Sequence, residues 1–435
     1  MPPEPAPAAA KGWRQQMMAR GGGKNRHAHS TGKQAMKKHI WLMILAAASI
    51  ILISFGVRLT SGLLVHPLMN SARLTIAQTG LIFAVAQLAW GMMQPVFGSC
   101  SDRGFGLSVL LAGMMCIVSG EWLTLYARGF WLVMLGQGLL VPAGIAAASL
   151  APLMSIVGPR LPQAKLAFAS GIINSGGSLG QFILAPIVQL LLDQYGMMGA
   201  ITGICLIVLL MLLPAVYLCR PGAGAPQDAP KRAAEPAVGL GTALKSRDYI
   251  LLDLGFFTCG FHVAFLSIHL PSEVMACGHT AAVSAASLSI IGLTNIAGSI
   301  GAGYLSRFFQ MKYILASIYG ARALMIYWFM ASAKTEADFY LFSALTGFTW
   351  LATVPPTLGL VAKLFGRQSL GSIFGCSFLT HQIGGFLGAW LGGLALQWYG
   401  NLSSIWYVDI SLALLAAVFN LPIRENTAAG APHPS

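Results

Sequence analysis

A series of about twelve apolar runs constrains this 435-residue chain more than any other feature. A helix needs about 20 apolar residues to cross the hydrocarbon core of a bilayer. Charged residues form only 9% of the sequence, against about 25% in soluble proteins, which excludes a water-soluble domain of this length. The sequence therefore predicts an all-α membrane protein, with helices over residues 40–68, 77–99, 106–126, 131–157, 165–191, 197–218, 248–271, 281–305, 312–331, 338–362, 369–396 and 403–421.

The basic residues predict how these helices are oriented. Of the 26 Lys and Arg residues, 21 fall in the two tails, in the stretch between helices 6 and 7, or in turns on that same side. Cytoplasmic segments carry an excess of Lys and Arg, so we expect both termini in the cytoplasm and the chain in the plasma (inner) membrane. The net charge of +13 then reflects contact with anionic lipid rather than nucleic-acid binding.

An internal repeat divides the chain into two related halves. An offset of 204 residues aligns Gly56 with Gly260 and continues through helix 5, where Gly180 aligns with Gly384. Parallel repeats of this kind are typical of secondary transporters, whose substrate site lies near the midplane between the halves. The predicted domains are a disordered basic tail (1–39), a six-helix bundle (40–218), a cytoplasmic linker (219–247), a second six-helix bundle (248–424) and a short tail (425–435).

Enzyme and metal-site motifs are missing from the sequence. The seven cysteines form no CxxC pair, and most lie in apolar runs, where cysteine packs as a small hydrophobic residue. No P-loop, HExxH or GxSxG motif appears. We therefore expect neither an enzyme nor ATP-driven transport, and no cofactor or metal.

One loop motif carries a family resemblance. Residues 98–106 read GSCSDRGFG and resemble the motif between helices 2 and 3 of the major facilitator superfamily, in which Asp102 and Arg103 match. The resemblance implies a gating motif made of Gly98, Asp102, Arg103 and, in the second half, Arg307. Such a motif latches the cytoplasmic helix ends in one transport state.

A segment of helix 1 resembles the monocarboxylate-porter-like branch of that superfamily. It reads SFGVRLTSG over residues 54–62 and is followed by His66, Pro67 and Leu68. The resemblance covers roughly residues 40–424 and implies two pseudo-symmetric bundles, with helices 1, 4, 7 and 10 lining a central cavity. It also implies a proton-coupled or exchange carrier for small organic anions. Animal members carry an acidic and a basic residue in helix 8, where this chain has only uncharged residues.

Two ionisable residues at equivalent positions of the repeat are the main site candidates. Arg58 lies in helix 1, and its guanidinium can bind a carboxylate through two parallel hydrogen bonds. His262 lies 204 residues later in helix 7, and histidine titrates near neutrality. We expect the two side chains on facing walls of the cavity, where they bind the substrate anion or a proton. A structural ion pair or hydrogen bond between helices is the alternative for each.

Further candidates are polar residues within the apolar runs, where an ionisable group is costly. Arg322, in peripheral helix 9, either packs against neighbouring helices or reaches inward as a second substrate-binding cation. The other substrate-binding candidates are His381, Gln382, Asn174, Asn295, Gln87 and Trp350. Glu121 and Asp253 are candidates for proton coupling, and both are expected near helix ends, where they snorkel or cap. Prolines in helices 4 and 10 predict breaks in those helices.

These features favour a secondary carrier of a small organic anion, preferably a monocarboxylate, with proton symport as an option. The alternative is an exporter of drugs or hydrophobic metabolites, which would usually have an apolar pocket with a buried acid. The expected partners are the anion, H⁺ and the lipid bilayer. No segment predicts an oligomer, so we expect a monomer.

Overall fold

The computed structural model describes residues 39–58, 60–220 and 238–425, and this part of the chain is helical. The predicted disordered tail, most of the predicted linker and nearly all of the short C-terminal tail lie outside the described residues. The end of the predicted linker that is described forms the short helix α10, Leu240–Lys245.

The described part of the first half contains nine α-helices, joined in places by short 3-10 or π-helical segments. A 3-10 turn, Ser61–Leu64, precedes α2, and a π-helical stretch, Met134–Leu140, separates α5 from α6. The helices are α1 His39–Arg58, α2 Val65–Ala72, α3 Ile76–Cys100, α4 Gly106–Tyr126, α5 Phe130–Val133, α6 Val141–Ala147, α7 Leu150–Val157, α8 Gln163–Leu209 and α9 Leu212–Cys219.

In the second half, seven longer helices follow α10. Two helices start with a capping box, α3 at Thr75 and the fourth of these seven at Thr335. In each, the threonine side chain accepts a hydrogen bond from the backbone N–H of the third helical residue. The helices are α11 Arg247–Ala276, α12 Ala281–Leu305, α13 Met311–Ala331, α14 Glu336–Thr349, α15 Val354–Phe365, α16 Leu370–Tyr399 and α17 Ser403–Asn420.

Nine helical stretches within the described residues are long and apolar enough to cross a membrane. Two of them are much longer than one crossing requires, at 49 and 57 residues. Each contains a glycine with a positive φ, Gly104 (91°) or Gly196 (64°), where the chain turns between two helices. The all-helical membrane fold is confirmed, and the count of twelve spans stays a prediction.

Four predicted spans differ from the observed helices. The first span, 40–68, ends at Arg58 and is followed by the 3-10 turn and α2. The fourth, 131–157, contains the π-helical stretch and then breaks at Ala148 and Ser149, between its two prolines. The sixth, 197–218, is interrupted at Leu210 and Met211, between α8 and α9. The tenth, 338–362, breaks between Thr349 and Val354, just before Pro355 and Pro356. Proline has no N–H to donate, so the carbonyls four residues earlier cannot complete the helical ladder.

The two halves of the chain pack together most closely at one end of the helices, which we call the linker end. It carries Arg220 and Val238, the residues flanking the undescribed stretch 221–237. Arg160 donates to the carbonyl of Leu218 at 2.6 Å in the first half. Arg367 of the second half donates to the carbonyl of Leu161 at 2.6 Å, which joins the halves there.

Glycines bring the backbones of the two halves into direct contact from the linker end toward the middle of the helices. A Cβ atom added to Gly98 in α3 would overlap the carbonyl of Gly371 in α16. Gly375 faces the backbone of Pro95 in the same way, one turn further along. Between α8 and α12, a Cβ atom at Gly171 would meet the Ser299 carbonyl at 2.6 Å. The linker end is therefore closed.

Candidate functional site

Arg58 ends α1 and is partly buried against α3. Its guanidinium donates to the side-chain oxygen of Gln87 and lies 4.2 Å from the centre of the Trp90 ring. Gln87 and Trp90 are near the middle of the 25-residue helix α3, so the charge lies at mid-depth. Among the described residues, no carboxylate forms an ion pair with Arg58.

Trp90 connects this arginine to the second half of the chain. Its ring centre is 5.5 Å from that of Phe55 and 5.9 Å from that of Phe378 in α16. One residue further along α3, a Cβ atom at Gly91 would meet the Gln382 Cβ atom at 2.7 Å. The predicted candidates Arg58, Gln87 and Gln382 are thus brought close to one another, at the contact between the two halves.

His381 and Gln382 belong to the same part of α16. The Nδ1 atom of His381 and the side-chain oxygen of Gln382 are 3.0 Å apart, and both residues are buried. The His381 ring packs against Phe256 of α11, with ring centres 4.8 Å apart. The Nε2 atoms of both side chains are buried without a hydrogen-bond partner in the described structure. Each could therefore serve an incoming polar group if the helices moved apart.

The structure corrects the predicted placement of His262. Its Nδ1 atom lies 2.7 Å from Oδ2 of Asp409 in α17, and the two side chains are 1% and 0% exposed. Its ring is 6.0 Å from the ring of Trp350, where α14 ends. His262 thus faces a carboxylate inside the second half instead of facing Arg58 across a cavity.

Arg322 is buried in α13 with 1% exposure. Its Nη2 atom donates to the carbonyls of Thr349 and Trp350, the latter at 2.6 Å. Those carbonyls lie at the break between α14 and α15, where helical donors are lost. The guanidinium therefore stabilises the broken helix, while its Nε and Nη1 atoms have no partner among the described residues.

Glu121 and Asp253 are both buried, so the prediction that they snorkel or cap at helix ends is wrong. Glu121 is 0% exposed, and its Oε2 atom accepts from Gln137 at 3.0 Å in the π-helical stretch. Asp253 is 8% exposed and accepts from the Thr380 hydroxyl at 3.1 Å. Each carboxyl group is held inside one half of the protein by a neutral donor.

Asn174 and Asn295 join the two halves through hydrogen bonds between α8 and α12. Asn174 donates to the Ser299 hydroxyl at 3.1 Å, and Asn295 donates to the Ser178 hydroxyl at 2.7 Å. The Asn295 oxygen also accepts from the backbone N–H of Leu351 at the α14–α15 break. Both asparagines therefore hold the interface in this conformation.

The predicted gating motif binds the start of α16. Asp102 accepts from the backbone N–H groups of Gly371 at 2.9 Å and Ser372 at 2.7 Å. The hydroxyls of Ser155 and Ser372 donate to the same carboxylate. A carboxylate is favoured at a helix N-terminus, where unpaired N–H groups carry partial positive charge. Asp102 therefore latches the two halves together at the linker end.

The remaining motif residues lie at the surface of the linker end. Arg103 is exposed next to Asp102. Arg307 is also exposed, with its guanidinium 5.5 Å from the Tyr304 ring and 5.8 Å from the Phe308 ring. Gly98 and Asp102 are the motif residues that hold the opposite half, through the start of α16.

Asp409 was missed by the sequence analysis, although the signal was present. It is a single carboxyl group six residues into an otherwise apolar 18-residue helix. A search for every charged residue inside the predicted spans would have found it. Ser372 was also missed, because its role depends on a contact with Asp102, 270 residues away in the sequence.

Apolar helices in two related halves, with a partly buried arginine where they meet and a latch at one end, define a multi-pass membrane transporter. The family profile of the Major Facilitator Superfamily matches residues 46–389. The chain belongs to the Major Facilitator Superfamily.

Curated relatives agree with this assignment. The chain is 26% identical to "Monocarboxylate transporter 11" of Mus musculus over 268 residues, which are 61% of this chain and 59% of that protein. It is 24% identical to "Monocarboxylate transporter 12" of Rattus norvegicus, over 71% of this chain and 69% of that protein.

Solved structures show the same fold. The fucose:proton symporter of E. coli aligns with a TM-score of 0.67 at 16% identity, covering 87% of this chain and 97% of that one. A bacterial homologue of the iron transporter ferroportin, in its outward-facing state, aligns with a TM-score of 0.68 at 13% identity, covering 88% and 98%.

Proposed function

We propose that this protein is a secondary carrier of a small organic anion, a monocarboxylate above all, and that Arg58 binds the anion. The observation that carries the proposal is a partly buried guanidinium at mid-depth that has no carboxylate partner in the described structure. The likeness to monocarboxylate transporters 11 and 12 supports the same substrate class.

The neighbours of Arg58 orient its charge without neutralising it. Gln87 offers an uncharged oxygen, and the face of Trp90 offers a weaker cation–π attraction. A substrate carboxylate could replace these contacts with two charge-assisted hydrogen bonds. The attraction would be strong, because charges at this depth are poorly screened by water.

Transport by alternating access requires the two halves to separate at one end while closing at the other. Here Asp102 and the glycine contacts close the linker end. The distribution of basic residues assigns that end to the cytoplasm. We therefore infer an outward-facing state, in which the anion reaches Arg58 from outside the cell.

The test is uptake of radiolabelled small monocarboxylates into proteoliposomes containing the purified protein. We expect Arg58→Ala to reduce uptake at least about tenfold, because an ion pair of this kind is worth more than about 1.4 kcal/mol. Arg58→Lys should recover part of the activity, since it keeps the charge but loses the bidentate geometry.

The matched control is Arg128→Ala, which removes an exposed arginine at the other end of the helices and should transport like the wild type. Normal uptake by Arg58→Ala would remove this residue from the mechanism. Efflux of hydrophobic dyes without uptake of any carboxylate would overturn the proposal and favour an exporter.

A further inference from the structure

The His262–Asp409 pair lies inside the second half, where α11 packs against α17. The two polar atoms are 2.7 Å apart, and both side chains are almost fully buried. One atom of each group, Nε2 of His262 and Oδ1 of Asp409, is buried without a hydrogen-bond partner among the described residues. Each group of the pair thus has one polar atom with a hydrogen-bond partner and one without.

Such a pair is expensive as a purely structural element. Removing two ionisable groups from water costs several kcal/mol per ion, and apolar residues of similar volume often stabilise a protein more. Ionisable residues inside membrane helices therefore mark functional positions by default. The unsatisfied atoms strengthen this argument, because a structural pair gains nothing from leaving them without partners.

The chemistry of the pair identifies the atom that is able to take up a proton. An ionised Asp409 can only accept a hydrogen bond, so Nδ1 of His262 must carry the hydrogen that lies between them. The neutral imidazole then has its free lone pair on Nε2. A proton bound there converts His262 to an imidazolium ion, which the carboxylate stabilises across the ring.

We propose that Nε2 of His262 binds the proton that drives transport, with Asp409 as its fixed counter-charge. The proposal rests on the proposed function, because it supplies the driving ion for the anion carried at Arg58. One proton bound at His262 and one monocarboxylate bound at Arg58 add no net charge. Transport should therefore be electroneutral.

Other buried titratable or charged groups lie on the helices around the pair. Arg322 and Tyr319 lie on α13, His381 lies on α16, and α11 itself carries Tyr249, Asp253, Cys259, His269 and Glu273. The break before α15 contributes the uncharged ring of Trp350, and α12 has no Asp, Glu, Lys, Arg or His.

Arg322 is the buried cation on α13, the helix that packs against α17. Arg322 is eleven residues from Met311 and Asp409 is eleven residues from Asn420, and these two helix ends lie at the linker end. Because α13 and α17 pack side by side, the two charges lie at similar depth. A proton bound at His262 changes the local charge by +1.

The first experiment compares carboxylate uptake with and without an inward proton gradient. A gradient of one pH unit can drive about tenfold accumulation when one proton moves with each anion. We expect His262→Gln and Asp409→Asn to lose this stimulation while still exchanging internal for external substrate. His269→Gln is the matched control, because His269 is on the same helix but is bound to the backbone carbonyl of Ala389.

The second experiment does not depend on transport. The Trp350 ring lies 6.0 Å from His262, and an imidazolium ion quenches indole fluorescence, so protonation should quench Trp350 as the pH falls. The probe is the difference in fluorescence between the wild type and Trp350→Phe, from about pH 4 to pH 9. We expect a titration in the wild type that disappears in His262→Gln.

The outcomes separate the two proposals. Wild-type carboxylate exchange without any stimulation by the proton gradient would overturn the proton site and leave Arg58 as the anion site. Absence of carboxylate uptake, together with a titrating Trp350 signal, would overturn the proposed function alone. If the His262 variants fail to fold, a wild-type difference signal that stays constant with pH would still overturn the proton site.

Discussion

Arg58 and His262 occupy equivalent positions of the two halves, 204 residues apart, yet their surroundings differ. Arg58 is held by an amide oxygen and an aromatic ring at the contact between the halves. His262 is hidden inside one half and is held by a carboxylate. A charge with neutral neighbours can accept a mobile counter-ion, whereas a charge with a fixed counter-ion can only gain or lose a proton. Under the two proposals above, the repeat uses one position for two different tasks.

A second pair of buried charges shows the same divergence on the peripheral helices α4 and α13. In the first half, Glu121 accepts from Gln137 in the π-helical stretch before α6. In the second half, Arg322 donates to the carbonyls of Thr349 and Trp350 at the break before α15. Both charges contact an irregular part of the next helix, but only Arg322 satisfies backbone groups. The second half should therefore depend more strongly on its charge.

The largest effect on stability is expected from removing Asp409 alone. Asp409→Ala leaves the His262 ring without its acid, and breaking one side of a buried pair costs about 3–5 kcal/mol. Thermal unfolding of the detergent-purified protein measures this loss. The double variant His262→Leu with Asp409→Leu should be closer to the wild type, because neither member of the pair is left without its partner. An unchanged melting temperature for Asp409→Ala would contradict the view of a tightly coupled pair.

A somewhat smaller loss is expected for Arg322→Met. Two buried carbonyls at the helix break lose their donor, and an unsatisfied buried acceptor costs about 1–3 kcal/mol. The same unfolding assay applies, with Arg307→Met as the control at an exposed arginine. If Arg322→Met and Arg307→Met both have the melting temperature of the wild type, the Arg322 guanidinium does not stabilise the broken helix.

Arg58→Gln should change stability by only about 1 kcal/mol, because it breaks one hydrogen bond and leaves no carboxylate unpaired. Transport should nevertheless be lost, and this contrast separates Arg58 from Asp409. Unfolding and uptake are measured on the same preparation. A stability loss as large as that of Asp409→Ala would indicate that Arg58 is a structural charge.

The smallest effect is expected for Glu121→Gln, at about 0.5 kcal/mol in either direction. The new amide oxygen can still accept from Gln137, and the variant no longer buries a carboxyl group. Glu121→Leu is the variant to compare with it. This change leaves the Gln137 amide without an acceptor, so the protein should be clearly less stable than Glu121→Gln. Equal melting temperatures for the two variants would show that this hydrogen bond contributes little.

The fold could be predicted from local sequence properties. Apolar run length and scarcity of charge indicate membrane helices, and the repeat indicates two related halves. The motif around Asp102 indicated a latch, and the structure places Asp102 at the start of α16. The helix breaks were predicted close to the correct prolines. In the tenth predicted span, however, the non-helical residues between α14 and α15 all precede Pro355.

The partners of the buried charges could not be predicted, because they are set by packing between distant helices. Whether His262 faces Arg58 or α17 depends on the rotation of α11 about its axis. The apolar residues of that helix do not define the rotation, because they surround it on all sides. The burial of Glu121 was mispredicted for the same reason, since its distance from the helix end does not indicate which face it occupies.

The glycine contacts between the halves have a kinetic consequence. At Gly98, Gly171 and Gly375 the facing surfaces are bare backbone, so no side chains are interlocked there. Such surfaces can separate without any rotamer change at these positions. The activation barrier for separation then consists mainly of lost dispersion contacts and of the hydrogen bonds that Asp102, Asn174, Asn295 and Arg367 make between the halves. Reorientation of the empty carrier should be fast, and release of the proposed substrate would then set the turnover rate.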